Sequence, residues 1–166
     1  MITARARMLI AGAGSAALLA GALGFQFIGG LAPCPLCIWQ RWPHVAAVVI
    51  AALAVTVLWR HTRPLAVLGM LAMLVGAGLG LYHTGIERGW WPGPDTCTSS
   101  DITNLSTDQL MAQIMNAPLV RCDEVAWDLL GLSMASWNAA ISLGLVALWL
   151  ASAVRAPNRY DSSSAS

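Results

Sequence analysis

The chain has 166 residues, 57% of them hydrophobic and only 10% charged, with a mean hydropathy of +0.65. A water-soluble domain carries about 25% charged residues, so this balance excludes an ordinary aqueous globule and points to a lipid bilayer as the surroundings. All nine basic residues are arginine; the net charge of +1 says nothing about nucleic acid, and no basic patch suggests such a partner.

Four apolar stretches follow one another: Met8–Leu31, Ile38–Trp59, Leu65–His83 and Leu132–Val154. Each approaches the ~20 residues that cross ~30 Å of hydrocarbon as a helix. The first follows Arg5 and Arg7 and exceeds the roughly 7–15 residue core of a signal peptide, so it reads as a span. Leu31-Ala32-Pro33-Cys34 faintly resembles a lipoprotein cleavage site, but proline before the cysteine obstructs cleavage. Gly12, Ala16, Ala20 and Gly24 form a small-residue ladder expected to pack against a neighbour. The second span begins near Pro35, places Arg41 and His44 at the interface, and is expected to kink at Pro43. The third carries Gly76 and Gly80 as a packing pair and ends at His83, with Glu87 one turn further on.

The expected fold is all-α, an integral membrane antiparallel four-helix bundle with both termini cytoplasmic. Its spans are 8–31, 36–59, 65–86 and 132–154, its outer loop is 87–131, its redox domain is 1–155, and a Ser-rich disordered tail occupies 156–166. Arginine placement sets the orientation. Arg5, Arg7, Arg60, Arg63, Arg155 and Arg159 share the cytoplasmic side, whereas seven of the eight acids fall outside. Within the outer loop, Ser106-Thr107-Asp108-Gln109 matches a capping box. Leu110, Met111, Ile114 and Met115 then form an apolar stripe, predicting a short amphipathic helix. Tryptophans 39, 42, 59, 90, 91 and 127 cluster near the predicted interfaces and read as anchors rather than ligands, although Trp39 and Trp42 are near enough to Cys34 and Cys37 to line a pocket.

All four cysteines, Cys34, Cys37, Cys97 and Cys122, fall on the outer side, where disulfides persist. Cys34-Pro35-Leu36-Cys37 is a C-x-x-C dithiol at a helix start, with Pro35 suited to the first turn. Cys37 and Arg41 are i and i+4, so a guanidinium and a helix N-terminus both favour the Cys37 thiolate. Cys97 and Cys122 lie 25 positions apart in the loop and read as a shuttle pair beside the dithiol, or else as a structural staple. A four-cysteine zinc site wants two close-spaced pairs and is not expected from a single one. His83, by position, is either a donor to a quinone carbonyl or an interfacial histidine satisfied by backbone.

Cys-Pro-Leu-Cys-Ile-Trp-Gln-Arg at 34–41 resembles the active site of the disulfide bond formation protein B family. So do Tyr82-His83-Thr84-Gly85-Ile86-Glu87, Trp91-Pro92-Gly93-Pro94 before Cys97, and Gly131-Leu132-Ser133-Met134 with Trp137-Asn138 after Cys122. The resemblance implies a thiol–quinone oxidoreductase of the bacterial inner membrane, multi-pass, with its active site on the periplasmic side. A periplasmic thioredoxin-fold thiol oxidase of the DsbA type would attack Cys97. Cys122 would pair with Cys97 and exchange with Cys34, and Cys37 would face ubiquinone or menaquinone held by Arg41, with His83 and Glu87 nearby. The competing readings are a non-enzymatic membrane scaffold with structural disulfides and a membrane metal-binding protein.

Overall fold

The computed structural model describes residues 2–94, 106–108, 111, 115 and 120–155, with Trp59 described by its backbone alone. Helix α1 runs Ala4–Phe27, α2 Pro35–Trp39, α3 Arg41–Val55, α4 Thr62–Glu87 and α5 Met134–Arg155, with a 3-10 turn at Trp59–His61. Four helical segments, Ala4–Phe27, Pro35–Val55, Thr62–Glu87 and Met134–Arg155, are long and apolar enough to cross a membrane.

The helix ends follow local chemistry rather than the limits of the apolar runs. Helix α1 starts before Met8 because the Thr3 side chain accepts from the Ala6 N–H at 3.2 Å. It stops at Phe27, short of Leu31, where the Ile28 and Gly29 N–H groups both close onto the Gly24 carbonyl and Gly30 adopts φ +69°. The second span is broken between α2 and α3 at Gln40. Pro43 has no N–H for the Trp39 carbonyl and its ring crowds that oxygen, so the kink expected at Pro43 is taken up one turn earlier. This span ends at Val55, where the Thr56 hydroxyl turns back onto the Ala52 carbonyl at 2.8 Å.

Helix α4 packs on α5 and α3, and α1 packs on α3 and α5. Met8, Ala11, Ala47, Ala51, Ala54, Leu65, Ala66, Met73, Leu145, Trp149 and Ala153 form the main core. The Arg7 guanidinium joins the start of α1 to the end of α5 by donating to the Ala151 carbonyl at 2.8 Å. The α1 face that packs is Met8, Ala11, Gly12 and Ser15, whereas Ala16 and Ala20 are exposed and Gly24 meets no neighbour. The predicted ladder of 12, 16, 20 and 24 is therefore corrected to Gly12 alone. A strict four-residue step drifts ~40° per repeat around a helix of 3.6 residues per turn, so such a ladder leaves a straight interface. Gly76 and Gly80 do pack: a Cβ on Gly80 would stand 2.9 Å from the Ala139 nitrogen and one on Gly76 3.3 Å from Pro43.

The all-helical expectation omits a small antiparallel hairpin, β1 Asp128–Leu129 with β2 Leu132–Ser133. Its two-residue turn has φ +55° at Leu130 and +74° at Gly131, the left-handed geometry that suits a tight hairpin. The hairpin feeds α5, whose first turn is capped by Ser133 accepting from the Ser136 N–H at 3.2 Å. In the predicted loop helix, Thr107, Asp108, Met111 and Met115 are helical, and Met111 and Met115 are exposed. Gln109, Leu110, Ile114 and the tail 156–166 lie outside the described residues.

Candidate active site

Cys34 is the N-cap of α2, and Pro35 occupies the first turn. The Cys34 Sγ accepts from the Cys37 N–H at 3.2 Å and stands 2.9 Å from the Cys37 Sγ. Both cysteines carry free thiols, Cys34 buried and Cys37 half-buried. The hydrogen bond to Cys37, burial and the neighbouring Cys37 charge push the Cys34 thiol far above its ordinary range.

Cys122 is fully buried and disulfide-bonded, and it packs in one cluster with Cys34, Leu36 and Ile86, against which Cys37 and Val120 lie. The loop thus brings a bonded sulfur to the dithiol from 85 positions further along than Cys37, the difference between 122 and 37. Cys97 lies outside the described residues.

His83, 3% exposed, reaches all of these groups. Its Nε2 is 3.6 Å from the Cys34 Sγ, 3.2 Å from the Cys122 carbonyl oxygen and 3.9 Å from the Glu87 Oε1. Its Nδ1 meets the Gln40 amide nitrogen at 2.7 Å. The Glu87 Oε2 accepts from the Ser133 hydroxyl at the hairpin end. The Cys122 carbonyl gives His83 the backbone partner that one of the two sequence readings expects, and His83 also stands in the cavity wall and beside Cys34. Cys34, Cys37 and His83 also present two sulfurs and a ring nitrogen within 4.8 Å of one another, the donor set of a soft-metal site.

Arg41 begins α3. Its Nη1 donates to the Gln26 carbonyl oxygen of the side-chain amide at 2.7 Å, while its buried Nε has no partner. The break at Gln40 separates it from α2, so the i, i+4 relation to Cys37 does not run along one continuous helix. Arg41 instead shares with Cys37 the wall of a cavity of about 430 Å³. Leu18, Ala22 and Phe25 of α1 give it an apolar side, and Cys37, His83 and Glu87 a polar one. Phe25 and Trp127, with ring centroids 5.0 Å apart, stand together in its lining.

One alternative falls away and one expectation changes here. Trp39 and Trp42 are 64% and 69% exposed, in keeping with the anchor reading and not with the pocket one, and Trp127 and Trp137 line the cavity instead. His44 is not an interface residue: it is 2% exposed and bonded to Asn138 at 2.8 Å. Gln40, Asn138 and Ser133 escaped the sequence reading as site residues. The signal was there for His44 and Asn138, because a polar side chain inside a predicted span faces protein and carries a role by default.

The sequence model of the family described as Disulfide bond formation protein DsbB matches residues 4–152. A disulfide bond formation protein B of Methylococcus capsulatus is 39% identical over 145 residues, covering 81% of this chain and 85% of its own. One from Xanthomonas oryzae pv. oryzae is 33% identical over 155 residues, covering 90% and 89%. An uncharacterized protein of Rickettsia prowazekii is 27% identical over 125 residues, covering 73% and 71%. With a free C-x-x-C pair, a buried disulfide-bonded Cys122 and four membrane-length helices on one chain, the protein belongs to the disulfide bond formation protein B family.

Proposed function

We propose that the protein is a protein dithiol:quinone oxidoreductase that reoxidises a periplasmic thioredoxin-fold thiol oxidase of the DsbA type. One observation carries this reading: the Cys34–Cys37 pair separates the buried Cys122 disulfide sulfur from an apolar cavity, so sulfur exchange and a lipid-soluble acceptor meet at one dithiol. Residues 1–155 form the redox domain, an antiparallel four-helix bundle with both termini in the cytoplasm of a bacterial inner-membrane protein. Residues 156–166 form a tail. The arginines at 5, 7, 60, 63 and 155 support this orientation.

The cavity fits a quinone headgroup. Its volume is within the range of roughly 300–1,000 Å³ typical of small-molecule sites, its walls are apolar, and the Arg41 Nε is a buried N–H without a partner where a carbonyl oxygen needs a donor. Arg41 would hold the ring, with His83 and Glu87 at its polar edge. A bound quinone supplies a sink for two electrons and two protons, leaving as quinol.

The chain's own steps are thiol–disulfide exchanges. The likeness to the disulfide bond formation protein B family supports Cys97 as the partner of the disulfide-bonded Cys122. A partner thiolate attacks Cys97; the partner–Cys97 bond forms, the Cys97–Cys122 bond breaks, and Cys122 leaves as a thiolate. With Cys34 and Cys37 oxidised, Cys122 attacks Cys34. The Cys34–Cys122 bond forms, the Cys34–Cys37 bond breaks, and the electron pair stays on Cys37 in the cavity wall. The Cys34 proton affinity and the open position of Cys37 support that division of roles.

Purified protein given a reduced DsbA-type partner and a soluble quinone analogue should consume the quinone in step with partner oxidation. Cys37→Ser should stop this. A scaffold with structural disulfides would show no turnover and a dithiol potential below about −300 mV.

A further inference from the structure

Five polar side chains run in an unbroken line from the dithiol into the bundle. The His83 Nε2 is 3.6 Å from the Cys34 Sγ, and the His83 Nδ1 is 2.7 Å from the Gln40 Nε2. The Gln40 Oε1 is 2.7 Å from the Asn138 Nδ2, and the Asn138 Oδ1 is 2.8 Å from the His44 Nε2. Ser142 closes the line, its hydroxyl 3.5 Å from the His44 Nε2. Gln40, His44, His83 and Ser142 are all buried. Carrying so many polar groups into a membrane-spanning bundle is costly unless each is satisfied, so such a line marks function.

The direction of the line is set at one point. The Cys122 carbonyl, 3.2 Å from the His83 Nε2, can only accept, so Nε2 carries the hydrogen. With a single ring hydrogen, Nδ1 is then an acceptor, and Gln40 must present its amide N–H to it. The Gln40 oxygen is left for Asn138, which must present its own N–H, and the Asn138 oxygen is left for the His44 Nε2–H. The hydrogens from His44 to His83 therefore run one way, and the last, on the His83 Nε2, is shared between the Cys122 carbonyl at 3.2 Å and the Cys34 Sγ at 3.6 Å. The same argument gives the His44 Nδ1 a bare lone pair, and that atom is indeed buried without a donor. It also places a hydrogen where a metal bound to Cys34, Cys37 and His83 would have to sit, so the trio is a hydrogen-bond site before it is a metal site.

We propose that Gln40, Asn138 and His44 are positioning residues that hold His83 with its Nε2 hydrogen within reach of both the Cys122 carbonyl and Cys34, stabilising that sulfur whenever it is released from a disulfide. The step served is the return exchange. The partner's second thiolate first attacks the partner–Cys97 bond; the partner's own disulfide forms, the partner–Cys97 bond breaks, and Cys97 leaves as a thiolate. Cys97 then attacks Cys122; the Cys97–Cys122 bond forms, the Cys34–Cys122 bond breaks, and the electron pair departs on Cys34 beside the His83 N–H. A hydrogen bond is stronger to a released sulfur than to a disulfide sulfur, so the line favours the reduced dithiol.

This inference rests on the dithiol reading above, and one experiment separates the two. The full chain in detergent is equilibrated with glutathione buffers, and the reduced fraction of Cys34 and Cys37 is read by alkylation and peptide mass. His83→Phe should shift the equilibrium about tenfold toward disulfide. Asn138→Leu, which touches no sulfur, should shift it about threefold to tenfold, and the double variant should match His83→Phe alone. His44→Phe, which keeps the ring volume, should act in the same direction if Asn138→Leu fails to fold. An equilibrium unmoved in both Asn138→Leu and His44→Phe overturns the inference, as does an equal shift with and without His83. A wild-type pair that takes up no electrons in any buffer sinks the dithiol reading itself.

Discussion

The two ends of the bundle are built on opposite principles. Around Met8, Ala47, Met73 and Trp149 the helices meet through small residues: a Cβ on Gly12 would lie 2.5 Å from the Ala51 Cβ, and one on Gly69 would enter the Trp149 indole. Around Cys34 and His83 the helices stand apart, leaving a cavity of about 430 Å³ and a line of buried hydrogen bonds. Lipid exerts little hydrophobic force between helices, so the first end holds the bundle by close backbone approach. That rigidity lets the second end stay hollow. On the proposed function, a site that admits a quinone and exchanges sulfur with the loop cannot also be the part that keeps the helices together.

Function should be lost only by breaking the hollow end. The largest effect expected is at Cys37: Cys37→Ser removes the sulfur proposed to carry the electron pair and should leave no measurable quinone reduction while the proposed Cys97–Cys122 disulfide still exchanges with a reduced partner. Arg41→Ala should follow, raising the quinone concentration needed for half-maximal rate by about tenfold, the scale of one hydrogen bond to a charged donor, with little change at saturation. Steady-state titration of the quinone checks both.

Glycine positions sharpen the contrast. Gly21 lines the cavity and has open space where a Cβ would go, so Gly21→Leu should fill the cavity, weaken quinone binding and leave thermal stability intact. Gly69→Ala should do the reverse. Its methyl meets an immovable indole, costing about 1–3 kcal/mol by overpacking, with the quinone affinity of the folded fraction unchanged. Melting curves and quinone titrations on the two variants should give opposite pairs of results. A Gly21→Leu protein that melts early, or a Gly69→Ala protein that loses quinone affinity, would show that the two ends are not separable.

Much of the hollow end was legible in the chain because its chemistry is local. Cys34, Pro35 and Cys37 specify a helix start and a dithiol within four positions, and the structure places them so. What was not legible depends on contacts between distant helices. The line from His83 through Gln40 to Asn138 joins three helices, and nothing in the spacing of 40, 83 and 138 announces it. The break at Gln40 was half visible: Pro43 predicts a lost hydrogen bond, but the bond lost belongs to Trp39, so the disruption appears upstream of the residue that causes it. The small-residue ladder on α1 misled because composition alone does not say which face a neighbour covers; Gly12 was buried and Gly24 was not. The Asp128–Ser133 hairpin was hidden for a different reason, since two-residue strands have no periodicity to read.

The smallest effect belongs to the clamp beside Cys122. Arg121 donates to both Asp123 oxygens, at 2.9 Å from Nε and 2.5 Å from Nη2, and this holds the Asp123 carboxyl below its ordinary range. A carboxylate depressed in this way helps hold the docked loop at every pH above its ordinary value, and the help disappears as pH falls through the lowered one. The pair is solvent-facing, so its contribution is modest and falls with salt. Asp123→Asn should therefore make amide exchange around Cys122 slightly faster at neutral pH, an increase that shrinks toward acid and at high ionic strength. A large, salt-insensitive change would mean that the docking of Cys122 depends on this exposed pair and not on its burial against Cys34, Leu36 and Ile86.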